Sequence, residues 1–256
     1  MSISLKGLTV VNTRPAHQAE SLSRLISQAG GTPIEFPVLE ISPPLNSESL
    51  QAQLSTLKQA DYAIFVSANA VEAAMSLLGG AGYWPVNVKI ISVGRATSHK
   101  LSDYGLAVSF PAPEPFNSEA LLTTPELDKI ADKRIVIFRG EGGRELLGKT
   151  LRSRGAEVEY IECYRRLIPA SDPSQLYQCW DKKCDTIIVV TSNEGLSNLI
   201  KMIANEYQQS LLTSTLVVVS KRAVSLAAEL GFVKEPGLAA TVTNEAIVEA
   251  IQHLHH

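Results

Sequence analysis

The chain has few of the residues that most often mark a reaction centre. Its three cysteines, Cys163, Cys179 and Cys184, are an odd number without metal-ligand spacing, so neither a disulfide framework nor a zinc site is indicated and reduced, structural thiols are expected. Of five histidines, His253, His255 and His256 crowd the extreme end, where a tag remnant or frayed tail is the expected reading. His17 and His99 remain, which supplies histidine-based metal or triad chemistry poorly. Paired carboxylates and a Ser/His/Asp set are also missing. No apolar run approaches the ~20 residues of a membrane span, and Met1-Ser2-Ile3-Ser4-Leu5-Lys6 lacks the pattern of a signal peptide, so a cytoplasmic protein without membrane partners is expected. A large excess of one charge sign is missing too, with 23 Lys and Arg against 26 Asp and Glu. A net charge of -3 and a pI near 6.0 argue against a nucleic-acid or membrane-surface protein with a basic overall field, leaving room only for a local basic cleft.

What the chain does have is apolar material in a regular arrangement. With 256 residues, 45% of them hydrophobic, it suggests about two domains, each with a packed core. The stretch from Asp185 to Ile203 shows the building unit. Ile187-Ile188-Val189-Val190 is a buried strand, Thr191-Ser192-Asn193 a polar turn, and Leu196, Leu199, Ile200 and Ile203 recur at helical spacing. At such a helix start, short polar side chains and free backbone N–H groups gather where the dipole favours negative charge, which makes a place for a carboxylate or phosphate.

The unit occurs twice. Asp61 and Asp185, Ser67 and Thr191, and Asn69 and Asn193 are each 124 positions apart, while Gly105 and Gly231, and Glu119 and Glu245, are 126 apart. Arg14 after Thr9-Val10-Val11 is answered by Arg139 after Ile135-Val136-Ile137, 125 positions on. Strand and helix alternate from end to end, which predicts parallel sheets covered on both faces. Taken alone, the repeat divides the chain once, near Pro125.

In open parallel sheets ligands bind beyond the carboxyl ends of the strands. Six turns fall there: Thr13-Arg14, Ser67-Ala68-Asn69, Gly94-Arg95, Arg139 to Arg144 with Gly140 between them, Thr191-Ser192-Asn193, and Ser220-Lys221. They bring hydroxyls, amides and cations to helix starts, as a ligand with several carboxylates or phosphates would need. Each also has a plainer reading. Ser67, Asn69, Thr191, Ser192 and Asn193 serve equally as helix caps, and Arg14, Arg95 and Lys221 as solvated charges. Arg139-Gly140-Glu141-Gly142-Gly143-Arg144 resembles a phosphate loop but lacks both the Gly-Lys-Ser/Thr ending and the Gly-x-Gly-x-x-Gly spacing of nucleotide sites.

Two proline-bearing stretches, Pro37 to Pro44 and Cys163 to Pro169, read as extended linkers. Arg165 and Arg166 in the second read as solvated. Tyr164 beside them carries a phenol whose ordinary pKa near 10 suits a weak general acid, although packing against a domain would place a tyrosine there as well.

With these motifs in order, Thr13-Arg14-Pro15, Val66-Ser67-Ala68-Asn69-Ala70-Val71, Val93-Gly94-Arg95-Ala96-Thr97, Arg139-Gly140 with Gly143-Arg144, Tyr164-Arg165 with Pro169, and Thr191 to Leu196, the sequence resembles the uroporphyrinogen-III synthase family. The resemblance runs over essentially the whole chain. It implies an α/β fold of two flavodoxin-like parallel-sheet domains related by internal duplication, joined by two extended linkers with a cleft between. On this reading residues 1–36 join 171–256 in one discontinuous domain, 43–161 form the other, and 37–42 and 162–170 link them. The resemblance further implies a cofactor-free lyase of haem biosynthesis acting on hydroxymethylbilane, a linear tetrapyrrole rich in carboxylates, with Tyr164 as the candidate acid and Ser192 and Asn193 on the substrate; a monomer is expected. One departure stands out: Gly94 and Thr97 of a Gly-x-x-Thr pattern are replaced by Ser220 and Ala223 in the later copy.

Two other functions use the same turns. A non-catalytic two-domain binding protein for an anionic metabolite would bind tightly and leave its ligand unchanged. A flavin-holding flavodoxin-like domain would be yellow and would need more aromatic residues at the turns than are present.

Overall fold

Among the described residues eleven strands form: β1 Thr9–Asn12, β2 Thr32–Glu35, β3 Glu40–Ser42, β4 Tyr62–Phe65, β5 Lys89–Ser92, β6 Val108–Pro111, β7 Arg134–Gly140, β8 Glu157–Leu167, β9 Thr186–Val190, β10 Thr215–Val218 and β11 Gly237–Leu238. They are taken from a computed structural model that describes residues 4–45 and 47–255, so Met1, Ser2 and Ile3 of the opening stretch and His256 of the terminal histidines lie outside the described residues. The chain divides into two compact units, Met1–Glu40 with Leu167–His256, and Ile41–Arg166.

The first unit holds a parallel sheet in the order β11-β10-β9-β1-β2. Successive residues of a strand point to opposite faces, and here both faces are covered. Val10, Ile187, Val189 and Val217 pack with Leu22 and Ile26 of the helix Ala16–Gln28 and with Ile247 and Ile251 of the helix Asn244–His255. Val11, Ile188, Val190 and Val218 pack instead with Leu196 and Leu199 of the helix Asn193–Met202. Two buried faces leave no place for a polar alternate, which is why these strands read as unbroken apolar runs. Leu199 is fully buried, so Leu199→Ala is expected to cost about 2–5 kcal/mol.

The second unit holds the order β3-β8-β7-β4-β5-β6. Ala63, Phe65, Val136 and Phe138 face the helix Ala68–Leu78, with the Phe65 and Phe138 rings stacked at 4.6 Å. Ile64, Ile135 and Ile137 face Leu147 and Leu151 of the helix Leu146–Ser153.

Three local expectations change. The stretches read as linkers are partly sheet: Glu40–Ser42 is β3, and β8 extends to Leu167, paired with β7 as far as Tyr164 and flanked by β3 on its other side. Arg139-Gly140 is likewise strand rather than turn, and both residues are buried. Short elements without strong periodicity, the turn of helix Asn205–Tyr207, the helix Gln208–Thr213 and the two-residue β11, were not legible in the pattern.

Candidate active site

The six polar turns follow β1, β9 and β10 in the first unit and β7, β4 and β5 in the second, so each sheet brings three of them together at the carboxyl ends of adjacent strands. In the first unit Ser192 accepts from the Gly195 N–H at 2.9 Å and Ser220 from the Ala223 N–H at 3.2 Å, each closing the start of a helix. The Thr13 hydroxyl donates to the Val189 carbonyl at 2.7 Å, tying β1 to β9. Thr191, Ser192, Asn193 and Ser220 stay half-buried and Lys221 is exposed, so all five reach the surface beside those helix starts. Arg14 is folded back: its guanidinium donates to Asn244 Oδ1 and to the Val242 carbonyl. Burial holds its pKa below the ordinary value.

In the second unit the turn after β4 is capped by Ser67, whose Oγ accepts from the Ala70 N–H at 3.1 Å. Ala68 and Asn69 open the helix and are half-buried. After β5, Gly94 is the cap without a side chain, Thr97 is buried, and Arg95 lies exposed over the Phe116 ring at 4.4 Å with Glu114 Oε1 2.6 Å away. Thr97 and Ala223 both face their cores, so the departure at the later copy falls on a buried position.

The arginines after β7 have partners that the glycine-rich pattern conceals. Arg139, with only 8% of its side chain exposed, pairs with Glu145 at 2.9 Å and Glu162 at 2.8 Å, and its guanidinium lies 3.9 Å from the centre of the Tyr160 ring. Those two carboxylates occupy the cation, and the hydrogen bond from Arg139 holds Glu145 below the ordinary carboxylate range. Arg144 is exposed and pairs with Glu119 at 3.0 Å. Beside them is a hollow of about 260 Å³ lined by Ser118, Arg139, Gly140, Arg144, Tyr160 and Arg166 among others.

Tyr164 is 1% exposed. Its hydroxyl lies 3.1 Å from Ser67 Oγ and accepts from Arg166 Nη2 at 3.0 Å. Arg166, which reads as a solvated charge in the sequence, is instead bound to the phenol. The signal that could have found it is its place two residues from Tyr164 on a strand, which puts both side chains on one face. Glu145 and Glu162 had no such signal, Glu162 being 23 positions from the arginine it serves.

Among the described residues, no cluster of His, Cys, Asp and Glu could hold a metal ion, and no helix is long and apolar enough to cross a membrane. The chemistry on offer is hydrogen-bond donation from helix starts, scattered cations and one enclosed phenol. Comparison with known proteins gives the same direction. The family model described as uroporphyrinogen-III synthase HemD matches residues 20–249. Uroporphyrinogen-III synthases of Salmonella typhimurium and Escherichia coli are each 36% identical over 250 residues, covering 96% of this chain and all of the relative. Among solved structures, a mutant uroporphyrinogen III synthase of Thermus thermophilus aligns over 97% of both chains with a TM-score of 0.64 at 18% identity. The uroporphyrinogen-III synthetase of Helicobacter pylori aligns over 98% of this chain and 100% of its own with a TM-score of 0.61 at 14% identity. Both share the fold.

Proposed function

The chain belongs to the uroporphyrinogen-III synthase family, enzymes of tetrapyrrole biosynthesis, and from that premise we propose how its residues serve the reaction. The substrate is hydroxymethylbilane, whose terminal hydroxyl leaves to give an azafulvene. The last pyrrole ring then closes through its already substituted carbon to a spiro intermediate, and fragmentation and reclosure leave that ring inverted in uroporphyrinogen III. Left alone, the same substrate closes without inversion. The protein's task is therefore mainly orientation, which fixing a near-attack geometry can accelerate greatly, with acid help at the leaving hydroxyl from Tyr164.

The observation that carries this reading is the set of helix-start donors gathered at the carboxyl ends of adjacent strands in each sheet. A substrate with many carboxylates needs many dispersed donors. Ser67, Ala68, Asn69, Gly94, Arg95, Thr191, Ser192, Asn193, Ser220 and Lys221 supply hydroxyls, amides, backbone N–H groups and cations. Arg14 and Arg144 stand on the same turns, while Arg139 and Gly140, at the end of β7, shape the turn before Arg144, Arg139 through Glu145 and Glu162. No cofactor takes part, and the enzyme works as a cytoplasmic monomer.

Internal duplication belongs to the same reading. The order β2-β1-β9-β10-β11 corresponds strand for strand to β8-β7-β4-β5-β6, and the pairing of Thr9 with Thr32 recurs 126 residues later as Ile135 with Val158. The domains then comprise 1–36 with 171–256, and 43–161. The unit boundaries at 40/41 and 166/167 fall inside the joining stretches 37–42 and 162–170.

Incubating the pure protein with freshly generated hydroxymethylbilane and separating the uroporphyrinogen isomers tests the function. The inverted isomer should predominate. Formation of the noninverted isomer alone would exclude the assignment, and saturable binding without turnover would favour a binding protein.

A further inference from the structure

The Tyr164 phenol is too well enclosed to meet a substrate itself, so a proton that leaves it must pass through a neighbour. Two side chains hold the hydroxyl, Arg166 and Ser67. A guanidinium only donates, so the phenol oxygen accepts the Arg166 bond. If Ser67 donated as well, the phenol hydrogen would be stranded without an acceptor in a buried place. The phenol therefore donates to Ser67 Oγ. That oxygen also accepts the Ala70 N–H, which fills its lone pairs and leaves the serine's own hydrogen to be given elsewhere. Ser67 is half-buried and stands at the carboxyl end of β4, on the helix start where a ligand is expected.

We propose that Ser67 is the catalytic residue that hands the proton to the departing hydroxyl of the substrate, with Tyr164 refilling it and Arg166 as the positioning residue that sets the direction of the relay. This rests on the reading of the chain as a uroporphyrinogen-III synthase with Tyr164 as the acid. The carbon–oxygen bond of the hydroxymethyl group breaks with its electrons on oxygen, and the Ser67 proton completes a water molecule. The Tyr164 proton moves to Ser67 Oγ, and the phenolate left behind is held by the Arg166 guanidinium. When the cyclised product loses a ring proton and regains its pyrrole, that proton returns through Ser67 to Tyr164. No electrons are gained or lost overall.

Single-turnover rates for the inverted isomer decide the matter. Tyr164→Phe and Ser67→Ala should each slow it about a hundredfold, and the double variant no further than the slower single one, because both break one path. Ser67→Asn, which caps a helix as well as serine does, should be as slow as Ser67→Ala, while Ser67→Thr, with its hydroxyl kept, should recover most of the rate. Arg166→Gln should lower kcat about tenfold with KM held, and Arg166→Lys should restore it. A wild-type rate in both Ser67→Ala and Ser67→Asn, or multiplying losses in the double variant, would overturn the relay while leaving the family reading intact. A wild-type rate in Tyr164→Phe would overturn the relay together with the assignment of Tyr164. Only the noninverted isomer from the wild-type chain would remove the family reading itself.

Discussion

Gly140 leaves the space that the Tyr164 ring fills. A Cβ at position 140 would come within 2.8 Å of ring atoms Cε2 and Cζ and 3.2 Å of the hydroxyl. Because the ring is enclosed and its hydroxyl is held by Ser67 and Arg166, it has little room to yield. Gly140→Ala should therefore cost about 1–3 kcal/mol of stability, as overpacking does. It should also slow formation of the inverted isomer by displacing the hydroxyl. Urea unfolding and the isomer assay measure the two effects separately, and a rate unchanged at 25 °C would show that the position of the phenol does not matter.

Arg139 is expected to act chiefly through structure. Its guanidinium joins Glu145 of the turn to Glu162 of β8 and covers the Tyr160 ring. Arg139→Met should lower the urea midpoint by the equivalent of about 2 kcal/mol with little change in m, since charge-assisted bonds are lost while both carboxylates still reach water. If stability were unchanged and KM alone rose, the arginine would belong to substrate rather than to its two glutamates.

Acid should destabilise the fold through the carboxylates that are paired or hydrogen-bonded in the native state. Asp61 is held below its ordinary 3.8 first by the Lys133 hydrogen bond and then by the Arg134 N–H, Glu145 below 4.5 by Arg139, and Asp172 below 3.8 by Ser174. Each folded-state value is depressed, so the stability these groups give is present above the ordinary value and is lost as pH falls through the folded one. Melting temperature should be level from neutral pH to about 4.5 and then drop. In Asp61→Asn the drop should be shallower, and an identical acid limb would mean that the Asp61 pair contributes nothing.

Cys163 should be silent to thiol reagents. It is 1% exposed, its Sγ faces the carbonyls of Ala70 and Arg139, and burial pushes its pKa up to about 12. At pH 8 the thiolate, which is the reactive species, is then almost absent. Cys179 and Cys184 are half-buried, so labelling of the native protein should stop at these two, with Cys163 reacting only in denaturant. Rapid native labelling of Cys163 would show that the β7–β8 edge opens.

The serine caps test how much of the polar turn is ligand site and how much is helix start. Ser192→Ala loses its bond to Gly195 and should cost about 1 kcal/mol. Ser220→Ala loses the matching bond to Ala223, and because both serines are placed on the substrate, KM should rise in each variant. Equal stability losses with KM unchanged in both would assign them to capping alone.

The parts legible in the sequence were those whose cause is local. The run Ile187 to Val190 shows a strand because both faces of its sheet are covered, and Thr191-Ser192-Asn193 shows a helix start because Ser192 caps it. What stayed hidden depends on partners far along the chain. Ser67 meets Tyr164 across 97 positions, and Arg139 meets Glu162 across 23, so the glycines around Arg139 suggested an anion loop where the fold has a closed ion-pair network. The stretch from Tyr164 to Pro169 suggested a free linker, yet pairing with β7 carries β8 through Tyr164.

The central claim is that dispersed donors, rather than any one side chain, set which way the last ring closes. The most direct measurement is the isomer ratio from a single turnover with protein in excess over hydroxymethylbilane, in the wild type and in Tyr164→Phe. The prediction is that the variant is slower and that the ring of the bound substrate is still inverted. If bound substrate in the variant released mainly the noninverted isomer, orientation would depend on the phenol, and the account would be contradicted.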